Sequence, residues 1–297
     1  MTSMAIHGAA SSQLICRVPP GRGFSSDVGY NTAMSDTTHA QIKTPKWALI
    51  LGASSGFGEG AARALAQAGY DIIGVHLDRK AGLEHVAEIR RDIEKLGRKT
   101  QYFNINAADE EKRNEVLAEL AKQKLNVAIL LHSLAFGTLK PYIGAEVLNK
   151  ANIDMTLDVM AHSLVYWSQG VLKYGLMGKG GRIFSMTSSG STRVFATYGA
   201  VSAAKAALES HTRQLALELA PHGIAVNSLR GGVTDTPALR KIPGNEKLVD
   251  IATQRNPHHR LTTPADLGGA IVALSNPAAD WITGNVINVD GGEEISA

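Results

Sequence analysis

The stretch "LILGASSGFGEGAARALAQAG", residues 49–69, decides the architecture. Three consecutive apolar residues run into a glycine-rich turn, and a small-residue pattern of helical period follows. Gly52, Gly56 and Gly58 fall just after the strand and at the head of the helix. A backbone of this kind turns sharply and approaches a pyrophosphate closely. The first N–H groups of the helix then present partial positive charge to the anion. The spacing is Gly-x3-Gly-x-Gly, so the strand–loop–helix context carries the reading more than the glycines do. The bland alternative is a tight turn that binds nothing.

Outward from this stretch, short apolar runs alternate with helical patterns. Residues 47–53, 71–77, 100–106, 126–133, 181–188, 224–232 and 285–292 read as strands. Several are apolar on consecutive positions, as befits strands covered on both faces. Residues 59–69 and 205–223 read as helices, the latter with Leu208, Leu215 and Leu219 on one face. Such alternation predicts one α/β domain over 46–297, a doubly wound parallel sheet of Rossmann type with helices on both faces. Residues 233–262 lie between two late strands and are placed to cover the sheet's carboxyl edge, where ligands bind in such folds.

At 297 residues the chain can bury the core of a single large domain. A net charge of +3 without a Lys/Arg block argues against a nucleic-acid partner. The longest apolar runs are of buried-strand length and far short of a membrane span. A single cysteine, Cys16, excludes an internal disulfide framework and fits a reducing, cytoplasmic setting. Residues 1–45 are rich in Ser, Gly, Pro and Thr without an apolar period, which predicts a disordered extension. A targeting segment and an overlong start, with Met34 the working one, are the alternatives.

"TYGAVSAAK", residues 197–205, sets Tyr198 and Lys205 seven positions apart. That is almost two helical turns, so the two can share a face. With the glycine loop, "LLHSLAFG" (130–137), "SMTSSGS" (185–191) and "ITGNVINVDGG" (282–292), this pair resembles the short-chain dehydrogenase/reductase superfamily across residues 46–297. The resemblance implies a nicotinamide cofactor and a homo-oligomer, dimer or tetramer. Within the superfamily, Tyr-x6-Lys and "HSLAFG" (132–137) resemble the enoyl-acyl-carrier-protein reductases. Residues 231–257 look like the substrate loop of their NADPH-dependent bacillus branch. Ketone-reducing relatives keep their tyrosine where Val201 stands and an asparagine where Met160 stands.

The shifted tyrosine has a chemical reason. In ketone reduction the carbonyl carbon receives the hydride and its own oxygen takes the proton. In enoyl thioester reduction the hydride lands on the β carbon, and negative charge develops on a more distant oxygen. A hydroxyl serving that oxygen must stand farther from the hydride donor. The resemblance therefore implies that Tyr198 stabilises the enolate, that Lys205 binds the nicotinamide ribose, and that Ser188 assists. It implies cofactor contacts from Gly52, Ser55, Gly56, Phe57, Gly58, His76, Arg79, Asn106, Ser133, Leu134, Val233 and Thr236. Phe136, Ala238 and Leu239 would line the acyl pocket.

In "GVHLDRK" (74–80), His76 takes the slot of the ribose-binding acid. Asp78 could still bind ribose, while Arg79 and Lys80 could hold a phosphate, so NADPH is expected and NADH is the alternative. His132 reads as a hydrogen-bonded strand-end residue. "PHHR" (257–260) reads as a loop or cap, and no metal is expected. The expected substrate is an enoyl group on an acyl carrier protein or coenzyme A. The rivals are a carbonyl, hydroxysteroid or 3-oxoacyl dehydrogenase, and a non-catalytic nucleotide-binding sensor.

Overall fold

The computed structural model describes residues 46–296, so the expectations for residues 1–45, Cys16 included, lie outside it. The chain runs β1 (Lys46–Leu51), α1 (Gly56–Gln67), β2 (Asp71–His76), α2 (Leu83–Lys95), β3 (Thr100–Asn104), α3 (Glu110–Lys122) and β4 (Asn126–His132). It continues through α4 (Lys150–Leu157), α5 (Ser163–Lys173), β5 (Arg182–Thr187), α6 (Gly199–Leu219), β6 (Ala225–Gly231), α7 (Asn245–Arg255), α8 (Pro264–Leu274) and β7 (Val286–Val289). The seven strands form one sheet in the order β3-β2-β1-β4-β5-β6-β7, and every pair is parallel. Parallel neighbours require crossovers, and helices on both faces supply them.

Successive strand residues feed two cores, as the two-residue side-chain period requires. Trp47, Leu49 and Leu51 join Ile73, Val75, Ile183 and Val226 beneath α3, α5 and α6. Ala48 and Ile50 join Ile72, Phe184 and Leu229 against α1, α2 and α8. In β4 the alternation slips by one residue at Ala128, where the pairing passes from Trp47–Val127 to Ala48–Ile129. This bulge lets Val127 and Leu130 face one core while Ile129 and Leu131 face the other.

The strands end a residue or more earlier than expected, because the last residues of each run turn into the carboxyl-edge loops. The long helix read from residue 205 begins at Gly199 instead. Tyr198 is the residue just before it, and its carbonyl accepts the first helical hydrogen bond, from the Ser202 amide at 2.8 Å. A π-helical turn, Asp158–His162, joins α4 to α5 and buries Met160. Residues 233–262 carry a short 3-10 turn, Leu239–Lys241, and then α7. No helix among the described residues is long and apolar enough to cross a membrane.

Candidate active site

The glycine loop closes on itself and on the end of β4. A β-carbon on Gly58 would stand 2.0 Å from the Gly52 carbonyl oxygen, and one on Gly52 2.2 Å from that of Ser133. Gly52 also adopts φ +86°, a conformation side chains oppose. Ser55, the residue before α1, makes no side-chain cap, so the first N–H groups of α1 stay free of that partner. A free helix N-terminus at the carboxyl edge of β1 suits a pyrophosphate. Phe57 packs on Gly231, and the side chain of Thr236 faces Gly56. One loop thus meets the ends of β4 and β6.

At the end of β2, His76 is buried and its Nδ1 lies 2.9 Å from Asp78 Oδ2. Asn104 accepts from the Asp78 amide at 3.0 Å and donates to its carbonyl at 2.9 Å. Asp78 is therefore held by protein partners, while Arg79 and Lys80 are exposed. Asn106 is exposed, and its side-chain oxygen accepts from the Ala108 amide at 3.0 Å.

Tyr198 is set by its local turn. Thr197 holds φ +61°, unusual for a β-branched residue, and swings the chain into α6. Phe195 meets the Tyr198 ring edge-on, with centroids 5.9 Å apart. A β-carbon on Gly190 would lie 2.6 Å from Tyr198 Cε1 and 3.2 Å from Ser188 Oγ, so ring and hydroxyl share one small space. Burial pushes the Tyr198 phenol up, and its hydrogen bond with Ser188 pulls the other way. Lys205 is buried one and a half turns into α6. It donates to the Met186 carbonyl at 2.7 Å and, at 3.5 Å, to that of Leu134. Burial lowers its ammonium to about 8, with Glu209 acting in the opposite direction.

Val201 and Met160 lie on the other side of this helix start. A β-carbon on Gly137 would meet Val201 Cγ2 at 2.7 Å, Thr156 Cγ2 at 2.8 Å and Met160 Sδ at 3.2 Å. The position three residues beyond Tyr198 is thus apolar, buried and tightly covered. His132 is fully buried, with Nε2 2.8 Å from Ser163 Oγ. Since Ser163 donates to the Val159 carbonyl, Nε2 carries the imidazole proton. Burial, reinforced by Lys205, lowers His132 to about 3 and keeps it neutral.

The structure brings Gly52, Ser133, Leu134, Ser188, Tyr198 and Lys205 to the carboxyl edges of β1, β4 and β5. Val233 and Thr236 follow β6 at the same edge. His76, Arg79 and Asn106 stand farther along, beyond β2 and β3. Phe136 is 54 % exposed, on the loop after β4, and Ala238 and Leu239 lie on the separate loop after β6.

Some residues at this edge escape sequence reasoning. Glu293 accepts from the Val233 amide at 3.1 Å, so that N–H is already engaged. Tyr142, on the loop before α4, packs over Gly199. Glu209 and Arg230 form a buried ion pair at 3.1 Å. The available signal for Glu209 is its place four residues after Lys205, on the apolar face of α6. Those for Glu293 and Tyr142 are weaker, since both lie on irregular segments.

Residues 52–294 match the family described as Enoyl-(Acyl carrier protein) reductase, and residues 9–82 match the NAD(P)H binding domain of trans-2-enoyl-CoA reductase. The 1-cyclohexenylcarbonyl-CoA reductase of Streptomyces collinus is 30 % identical over 84 % of this chain and 87 % of its own length. The 2-dehydro-3-deoxy-D-gluconate 5-dehydrogenase of Dickeya dadantii is 32 % identical over 83 % of this chain and 94 % of its own. The crystal structure of the NADH enoyl-acyl-carrier-protein reductase of Aquifex aeolicus superposes with a TM-score of 0.76 at 26 % identity, covering 86 % of this chain and 98 % of that one. Its parallel sheet, its glycine loop and these matches agree: the chain belongs to the short-chain dehydrogenase/reductase superfamily of oxidoreductases, in its enoyl-acyl-carrier-protein reductase branch.

Proposed function

We propose that the protein reduces the carbon–carbon double bond of a trans-2-enoyl thioester with NADPH, in fatty-acid synthesis. The substrate is carried on an acyl carrier protein or coenzyme A, and the enzyme works as a cytoplasmic homo-oligomer. One observation carries this reading: the hydroxyl at the helix start is Tyr198, while Val201 is sealed beneath Gly137 with Met160. A ketone placed against Val201 would find no proton donor there.

Bound in the cleft, the nicotinamide supplies a hydride. The protein's share is to hold and polarise. Tyr198, kept protonated by its burial, would hydrogen-bond the thioester oxygen as negative charge gathers there, and a proton from solvent delivered to the α carbon would complete the saturated product. Ser188 orients that phenol. Lys205, a cation at neutral pH, holds the nicotinamide ribose and favours the same charge. Phe136, Ala238 and Leu239 wall the acyl chain. The glycine loop, with Ser55 and Phe57, and the first N–H groups of α1 take the pyrophosphate, and Ser133, Leu134, Val233 and Thr236 border the nicotinamide. His76 and Asn106 edge the adenosine side. NADPH is preferred because His76 engages the Asp78 carboxylate and Asn104 fixes the Asp78 backbone, while Arg79 and Lys80 stay exposed for a phosphate.

A second reading, oxidoreduction of a carbonyl or alcohol, is favoured by the closeness of Ser188 and Tyr198 and by the dehydrogenase among the relatives. Purified protein assayed with crotonyl-coenzyme A separates the two. Enoyl reduction is expected, with kcat/KM about tenfold higher for NADPH than for NADH. Tyr198→Phe should lower kcat about 100-fold and leave KM nearly unchanged. Ketone reduction without enoyl reduction, or full activity in Tyr198→Phe, overturns the proposal.

A further inference from the structure

Glu209 lies one helical turn beyond Lys205 on α6 and is 8 % exposed. Its Oε1 accepts from Thr187 Oγ1 at 2.7 Å and from Arg230 Nη2 at 3.1 Å. The same Arg230 nitrogen donates to Ser191 Oγ at 3.0 Å, and Arg230 Nη1 lies 3.9 Å from Glu294. Each partner belongs to a segment that carries part of the site. Thr187 ends β5 and precedes Ser188, while Ser191 closes the turn beneath the Tyr198 ring. Arg230 sits at the end of β6, ahead of Val233 and Thr236. A buried carboxylate with two charge-assisted or hydroxyl partners on two strands is a costly arrangement if packing were its only use.

We propose that Glu209 is a positioning residue that fixes the ends of β5 and β6 against α6 and supplies the counter-charge for Lys205. The inference rests on the role given above to Lys205. Two titratable groups act on that ammonium, His132 and Glu209, and Arg230 reaches it through its pairing with Glu209. His132 on β4 is neutral, Arg230 on β6 is a cation already paired with Glu209, and Glu209 itself is on α6. Glu209 thus provides the negative charge that opposes the effect of burial on Lys205.

Protein labelled with 15N-lysine, without cofactor, gives the midpoint of the Lys205 ammonium directly, with Lys205→Met to assign the signal. Glu209→Gln keeps a hydrogen-bonding group but removes the charge, so the midpoint should fall from near 8 by about one pH unit. Arg230→Gln removes the cation that offsets Glu209, so the midpoint should rise; it also serves if Glu209→Gln does not fold. Thr187→Val keeps both charges and should leave the midpoint in place. An unmoved midpoint in Glu209→Gln, or in Arg230→Gln, overturns the counter-charge role. The alkaline limb of enoyl turnover should follow these midpoints. Midpoints that move in a protein without enoyl turnover would uphold this inference and reject the proposed reaction. Turnover with fixed midpoints would do the reverse.

Discussion

Gly137 lies over Val201, Thr156 and Met160 at distances that leave no room for a methyl group. Gly137→Ala should therefore overpack this corner and cost about 1–3 kcal/mol, measured as a lower urea midpoint at unchanged slope. A variant as stable as the wild type would show that the loop after β4 yields easily. Legibility differs sharply between residues here. Tyr198 and Lys205 were readable as a pair because one eight-residue segment carries both. Val201 and Met160 were readable as departures from a pattern, though not as neighbours meeting under one glycine. The pairing of Glu209 with Arg230 was not readable, since the partner lies 21 residues on and only the β5–β6 pairing brings it near. The engagement of the Val233 amide by Glu293 spans 60 residues and depends on the path of the last turn.

Among the elements, those with strong period and clear punctuation were legible, and their ends were not. Strand runs were found in place, but their last residues bend into the edge loops that hold the site. The start of α6 was missed by six residues because Gly199, Ala200 and Val201 are small or β-branched and look like a turn. The entry to α8 shows how side chains settle such boundaries. Thr263 accepts from the Asp266 amide, and Asp266 accepts in return from the Thr263 amide at 2.8 Å. Arg260 also pairs with Asp266 at 2.7 Å, and together these partners hold the Asp266 carboxyl well below the usual carboxylate range. Thr263→Ala should lower stability by about 1 kcal/mol at pH 7. Because the folded carboxyl is depressed, the stabilisation from Asp266 is present above its unfolded value near 4 and fades as acid protonates it. Thermal melts of the wild type and Thr263→Ala at pH 7 check the cap, and melts of the wild type and Asp266→Asn, which lacks the titrating group, at pH 7 and pH 3 check the acid response. An equal difference at the two pH values would remove Asp266 from the account.

On the scale of the molecule, the sheet divides its two rims. The carboxyl rim carries the site, while Arg182 latches the amino rim, donating at 3.1 Å to the carbonyls of Gly180 and Gly181 and pairing with Asp280. Fold class was legible because alternating strand and helix patterns leave few alternatives. The strand order was not, since it follows from crossover handedness and not from any one residue. The buried rim also sets an acid response. His132 titrates at about 3 when folded and near 6.5 when unfolded, so between those values the unfolded chain binds more protons. Stability should accordingly rise with pH across this window and fall as pH drops from 7 to 5. His132→Gln, which can still reach Ser163, should flatten the slope of urea midpoint against pH. A slope identical to the wild type would place its origin elsewhere.

Thr197 gives the last consequence. Its left-handed backbone turns the chain into α6 just before Tyr198, at a conformational cost of about 1 kcal/mol that a glycine or asparagine would largely avoid. Selection for heat tolerance alone would replace Thr197 with a residue at ease in that conformation, returning a longer-lived protein that keeps the turn before Tyr198.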